Sequence, residues 1–413
     1  MLDQSVSDVK AAGKAKAQAL IETRKSWLEN DMAVAFEYAT IAYPILSEAD
    51  LRHMLPRFSQ KRMASDLDVT RYPECGGMAE RVRAMRRGAA EVITDPLLAA
   101  FYHDWGWFGS RRLNTRFVAA APPPPQCTRL FFADTAEGGE IQAGNIDNVL
   151  MQFEHDNRPP PQTGPAETRF EQVTQVGAVS SAVLCDEEPE CLFPVDMAWI
   201  MPSGMTDIHA YVDMLARYME FWGPFNGLYV APDMRCAVIE KANVRMGVRY
   251  SDGWGAITAG AYLDPAMHAF KESCSQRSFE VRGWGADNPD AVYWDGCEKR
   301  YRRLLSLAEA EHQRGATLLG AARITLDHAV PFPERICLAG ERGHPEEKLQ
   351  NWSMLSSAEV SSGPNRRSLF WKIDPEDLKP IYHTRCHVRA GAGLEARQQE
   401  FEAEIEAAGE IGA

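Results

Sequence analysis

At 413 residues, 45% hydrophobic and 25% charged, the chain has the make-up of a folded globular protein with room for one large domain plus an appendage or for two domains, which excludes general disorder. The formal charge of −14, from 58 acidic against 44 basic residues, repels polyphosphates. The basic runs at 81–87, 300–303 and 366–367 are short and scattered, so no nucleic-acid partner is expected.

Residues 6–62 read as helix, first rich in Ala, Lys and Glu and then apolar at helical spacing, with a break at Pro44 and a second helix from near Ser47. Residues 76–118 read as helix again, with a basic face followed by the aromatics of DPLLAAFYHDWGWF, which are expected to pack in a core. The stretch 119–125, AAAPPPP, cannot continue a helix and predicts a domain boundary.

Beyond it the texture changes to strands. Residues 127–134 and 140–145 predict a hairpin turning at Gly138-Gly139; 158–163 is a loop; 167–184 reads as two strands meeting at Gly177; 185–191 is an acidic turn. A strand at 197–201 precedes an amphipathic helix over 208–222, capped by Thr206 or Asp207. Closely spaced strands at 225–230, 236–241, 245–250 and 254–258 indicate an antiparallel sheet. Helices at 264–277 and 291–313, strands at 335–338, 349–357 and 368–373, and an acidic closing helix over 391–413 complete the chain. Two antiparallel sheets with helices packed outside satisfy this order, an α+β sandwich of αββα layering. Nowhere do 18 uncharged apolar residues run together, and the first twenty residues carry no continuous apolar core. A cytoplasmic, membrane-free protein is therefore expected.

The nine cysteines include no CxxC pair, and most are expected to be small buried hydrophobes. Cys127 stands apart because it follows a stiff proline run and opens a strand, while Asp147 lies on the returning strand. The segment HTRCH offers His383 and His387 at i, i+4 for a metal on a helix, with Cys386 between them, but no further ligand stands at suitable spacing and no metal is expected. Residues 343–348 read as a surface loop.

Cys127-Thr128, the later Gly144-Asn145-Ile146-Asp147 and the hairpin NGLYVAPDMRCAVIE over 226–240 together resemble the N-terminal-nucleophile hydrolases, most closely the acyl-coenzyme A:6-aminopenicillanic acid acyltransferase-like group related to choloylglycine hydrolases. Ile336-Cys337 and Trp352-Ser353 resemble the late strands of that group, and the likeness spans about residues 127–373. It implies three parts: a helical prosegment over 1–126 ending in a Pro-rich hinge, a catalytic domain over 127–385, and an acidic tail over 386–413. It also implies autoprocessing before Cys127, acyl transfer through Cys127, orientation of the new amine by Asp147, and oxyanion stabilisation by Asn145, backbone N–H groups or Asn226, with Thr128 completing the nucleophile pair. No cofactor is implied. The partner would be a small amide, peptide or acyl thioester, and a homo-oligomer is compatible with this reading.

The chain departs from the group's pattern at three places. Gly144 stands where Arg or Gln is usual, Gln126 where Gly is usual, and Thr258-Ala259-Gly260 where an oxyanion-hole asparagine is expected. Arg335 and Arg342 are the candidates for a substrate-side arginine. The departures at Gln126 and Ala259 motivate the alternative of a non-catalytic binding or scaffold protein on the same fold.

Overall fold

The computed structural model describes residues 5–42, 45–64, 76–108, 126–149, 170–180, 204–217, 225–242, 245–282, 285, 287, 289–331, 334–337, 352–363, 365–373, 380–386 and 393–409. The proline run, the segments read as loop at 158–163, turn at 185–191, strand at 197–201 and loop at 343–348, and Arg342 and His387, lie outside these residues.

In chain order the helices are α1 (Val6–Ala42), α2 (Glu48–Ala64), α3 (Gly76–Ala90), α4 (Pro96–Trp107), α5 (Ile208–Arg217), α6 (Pro265–Arg282), α7 (Pro289–Gln313), α8 (Leu318–Thr325) and α9 (Leu394–Ala408). The strands are β1 (Gln126–Phe132), β2 (Ile141–Val149), β3 (Thr174–Ser180), β4 (Phe225–Val230), β5 (Arg235–Ala242), β6 (Arg245–Asp252), β7 (Trp254–Thr258), β8 (Trp352–Val360), β9 (Arg367–Ile373) and β10 (Pro380–Cys386). The chain forms two compact units, the first of Met1–Pro123, Asp186–Ser203 and Leu215–Gly223, with α1 to α4, and the second of Pro124–Cys185, Gly204–Met214 and Pro224–Ala413, with both sheets.

In the helical unit, reciprocal hydrogen bonds between Ser47 and Asp50 start α2 as a capping box, and the same pattern between Ser5 and Asp8 starts α1. Asp95 caps α4, accepting from the Leu98 N–H at 2.8 Å, with Pro96 at the first helical position. The core gathers Leu28, Phe36, Leu51, Leu55, Ile93, Leu98 and Phe108, and a buried ion pair at 3.1 Å joins Arg86 of α3 to Asp104 of α4. The predicted aromatics do pack there: Trp105 meets Phe36 edge-on at 5.3 Å.

Helices α1 and α3 touch backbone to backbone. A Cβ on Gly88 would overlap the Lys10 carbonyl oxygen, and one on Gly13 would overlap that of Met85. Helix propensity alone favours Gly88→Ala by roughly 1 kcal/mol, but overpacking against rigid backbone costs about 1–3 kcal/mol and grows with side-chain size. Gly88→Val is therefore expected to lower the midpoint of the helical transition, and Gly88→Ala to lower it less. A rise in either variant, followed by circular dichroism on heating, would refute the close crossing.

In the second unit, one sheet has the order β10-β9-β8-β2-β1-β7 and the other β3-β4-β5-β6, with antiparallel pairing throughout. They face each other through Phe131, Ala133, Ile257 and Ala259 on one side and Val179, Leu228, Val230, Cys236 and Val238 on the other. Strand alternation then turns Leu130, Phe132, Ile141, Ala143, Ala358 and Leu369 to the opposite face, where they pack with Tyr301 and Leu304 of α7, Leu318 and Ala321 of α8, and Phe401 and Ile405 of α9. On the outer face of the four-stranded sheet Tyr229 meets Tyr211 of α5 at 5.3 Å, and Tyr262 and Met267 cluster with Ala242. Strand β5 is buried from Cys236 to Ala242 because both its faces are covered, hence its nearly continuous apolar run. Among the described residues no helix is long and apolar enough to cross a membrane.

The hairpin β1/β2 turns where expected, with Gly138 at φ 77°. Elsewhere the expectations need correction. Among the described residues around Gly177 a single strand, β3, runs through the glycine, irregular between Gln175 and Gly177, where two strands meeting there were expected. Residues 334–337 form bends and turns in place of a strand, with the Cys337 N–H donating to the Asp327 carbonyl at 3.1 Å. The segment 380–386 is strand β10 and not a helix, paired along its length with β9. Helix α9 is fastened to the sheet by Phe401, Ile405 and the Arg367–Glu404 ion pair, although its composition reads as an acidic tail.

Candidate functional site

The site follows from the alternation of β1. Odd positions face the other sheet: Phe131 lies in the inter-sheet cluster, Cys127 packs at its partly exposed margin, and the Arg129 stem lies against Gly177 of β3. Even positions face α7 and α8, so Thr128 is buried on the far side with its hydroxyl donating to Thr258 Oγ1 at 3.4 Å. The two members of the predicted pair therefore occupy opposite faces of one strand.

In the register Cys127 stands opposite Ile146 and Gln126 opposite Asp147, so Asp147 is level with the peptide bond preceding the cysteine. The Cys127 carbonyl accepts from the Ala259 N–H at 2.9 Å, which carries the β1/β7 pairing past the end of β7 to the start of β1.

Three side chains fix the corner at Ala259. From β4, Asn226, fully buried, donates through Nδ2 to the carbonyls of Thr258 and Ala261, both at 2.9 Å. From α7, Arg300 donates to the Ala259 carbonyl at 3.2 Å. Glu240, also fully buried, accepts from the N–H groups of Leu263 and Asp264 at 2.7 and 2.8 Å and from Arg249 at 2.9 Å. Burial pushes the Glu240 carboxyl above the usual range despite the Arg249 guanidinium. Gly260, at φ 91°, allows the chain to turn there.

The predicted amides thus have defined partners. Asn145 lies on the helix side of β2, donating to the Thr325 carbonyl at 2.8 Å and accepting from Ser356 Oγ at 2.9 Å, so it does not meet Cys127. Asn226 sits close to the cysteine strand, but both its amide hydrogens hold the corner; its Oδ1 has no hydrogen-bond partner among the described residues. The Ala259 side chain is buried in the inter-sheet cluster and offers no donor.

Among the other described cysteines, burial pushes the Cys236 thiol up to about 12 and raises that of Cys386, while Cys274, Cys297 and Cys337 are buried. These are poor nucleophiles, since the thiolate is the reactive form. His383 and Cys386 lie on strand β10 and not on a helix, and His387 lies outside the described residues. Among the described residues no group of three His, Cys, Asp or Glu is arranged to hold a metal. Arg335 is buried.

Arg129 escaped the sequence reading. Its only signal there is the alternation Cys-x-Arg-x-Phe, and the glycines that accommodate it are remote in the chain. No protein-family model matches this chain, and no curated protein matches it in sequence.

Proposed function

We propose that the protein is a cysteine amidohydrolase or acyltransferase of the N-terminal-nucleophile type, with an αββα catalytic domain and residues 1–126 as prosegment. The observation that carries this reading is the placement of Cys127: it stands at the start of an interior strand of one of two facing antiparallel sheets, at the partly exposed margin between them, with Asp147 in register beside the preceding peptide.

In this reading the Cys127 thiol attacks the Gln126 carbonyl carbon, the C–N bond breaks as a thioester forms, and the nitrogen takes the proton. Water then hydrolyses the thioester, leaving a Gln126 carboxylate and a free α-amine on Cys127. That amine, with an intrinsic pKa near 8, serves as base for the thiol at neutral pH. The activated thiolate attacks a small amide or acyl thioester, the amine returns its proton to the leaving group, and water or an acceptor amine resolves the acyl-enzyme. Asp147 orients the amine. Since the amides of Asn145 and Asn226 serve backbone carbonyls or neighbouring side chains, backbone N–H groups take the oxyanion role. No disulfide joins the described cysteines, which fits a reducing, cytoplasmic setting.

The engaged amides and the buried Ala259 favour a second reading, a binding protein that keeps this fold without turnover. Intact-mass measurement of purified protein separates the two. The proposal expects fragments divided between Gln126 and Cys127; an uncut chain that also forms no adduct with a β-lactone probe would leave the binding reading.

A further inference from the structure

Arg129 lies on the inter-sheet face of β1, on the same side as Cys127 and two residues from it. Two glycines make its place. A Cβ on Gly144 of β2 would overlap the Thr128 carbonyl oxygen and an Arg129 guanidinium nitrogen, and one on Gly177 of β3 would stand 2.9 Å from both Cβ and Cγ of Arg129. The side chain thus lies between the two sheets across the glycine of the neighbouring strand, filling the position that a side chain at 144 would otherwise occupy. It is half-buried, and among the described residues no carboxylate pairs with it, although the chain carries 58 acidic residues and the half-buried Arg249, Arg303, Arg366 and Arg367 each meet one. A half-buried guanidinium with no carboxylate partner among the described residues presents a planar fork suited to a carboxylate.

We propose that Arg129 is the anion anchor of the Cys127 site, so that the substrate is an acyl compound bearing a carboxylate, joined to the reacting carbonyl by a short spacer. Alternate residues on one strand face lie about 7 Å apart, the scale of a succinyl or glutaryl chain. The proposal rests on Cys127 being the reactive thiol, but its test requires neither processing nor turnover.

Alkylation of Cys127 by iodoacetate and by iodoacetamide, followed on the full chain by peptide mass spectrometry, reads the anchor directly. The ratio of the two rates is expected to fall roughly tenfold in Arg129→Gln, the value of one charge-assisted hydrogen bond, and to stay within about twofold of wild type in Arg129→Lys. In the wild-type protein, glutarate is expected to protect Cys127 from iodoacetamide where neutral glutaramide does not, a comparison that stands even should a variant fail to fold. An unchanged ratio in Arg129→Gln, or equal protection by glutarate and glutaramide, overturns the anchor; protection by inorganic phosphate equal to that by glutarate overturns the carboxylate assignment. Each result is independent of whether the chain is cut, which intact mass reports separately.

Discussion

Cys127→Ala is expected to yield a chain of uncut mass with acyl transfer reduced by roughly a thousandfold or more, to the background of the assay. In the proposed mechanism the thiol is both the attacking group in self-cleavage and the acyl carrier in turnover, so one substitution removes both, and no other described cysteine is placed to replace it. Fold is not expected to suffer. Cys127 sits at the partly exposed margin of the inter-sheet cluster, and exchanging a thiol for a methyl there removes little buried surface. Cys127→Ser separates the two steps, because a hydroxyl can carry an N-to-O shift slowly while being a poorer nucleophile toward an amide substrate. Partial cleavage with weak turnover is the expected phenotype, read by intact mass and by release of a chromogenic amine. Wild-type activity in Cys127→Ala, in a protein that melts like wild type, would remove Cys127 from any catalytic role.

Much of the second unit was legible because strands and turns alternate at short range. The reading of β4 to β7 agrees with the observed strands to within one or two residues, since each apolar run is bounded by its own turn: Ala231-Pro232-Asp233, a break near Ala242 and Ser251-Asp252-Gly253. What escaped was structure whose cause lies far off in the chain. Helix α8 is eight residues of small and apolar types capped by Thr317, with no periodicity long enough to register; it is helical because Leu318, Ala321 and Ala322 fill the layer over β2 and β8. Strand β10 exists because β9 offers it a ladder. Its residues His383–Cys386 fit a helix or a strand equally when read alone.

The site divides in the same way. Cys127 could be singled out from its own neighbourhood, the proline run before it and the strand it opens. The partners of Asn145, Asn226 and Arg129 could not, because each is set by pairing between segments that are distant in sequence. An asparagine advertises two donors without saying which carbonyls take them, and only the sheet order brings Asn226 to Thr258 and Ala261 and brings Gly144 and Gly177 around Arg129.

That arrangement makes Asn226 the position where stability and site geometry are most tightly joined. Its two 2.9 Å bonds hold the corner whose Ala259 N–H fastens the Cys127 carbonyl, and the side chain is wholly buried. Asn226→Ala withdraws both donors and is expected to cost about 3 kcal/mol, from hydrogen bonds worth roughly 0.5–1.5 kcal/mol each plus desolvated carbonyls and a small cavity. Asn226→Asp, nearly isosteric, is expected to cost more at pH 7, because an oxygen then faces two carbonyl oxygens and a buried carboxylate has lost its solvent. Its carboxyl would be held above the ordinary value of about 3.9, since only the protonated form can donate. A carboxyl with a raised folded-state pKa contributes stability below its unfolded pKa and loses it as pH rises through the folded one. The Asp variant should therefore recover part of its deficit relative to wild type near pH 4, whereas the Ala variant's deficit stays constant with pH. Urea midpoints at several pH values test this, and an Asp variant as stable as wild type at pH 7 would show that Asn226 is not the donor to both carbonyls. Acyl transfer should fall in both variants in step with the loosening of the corner, through kcat more than through KM, because Cys127 would remain chemically intact but less firmly placed.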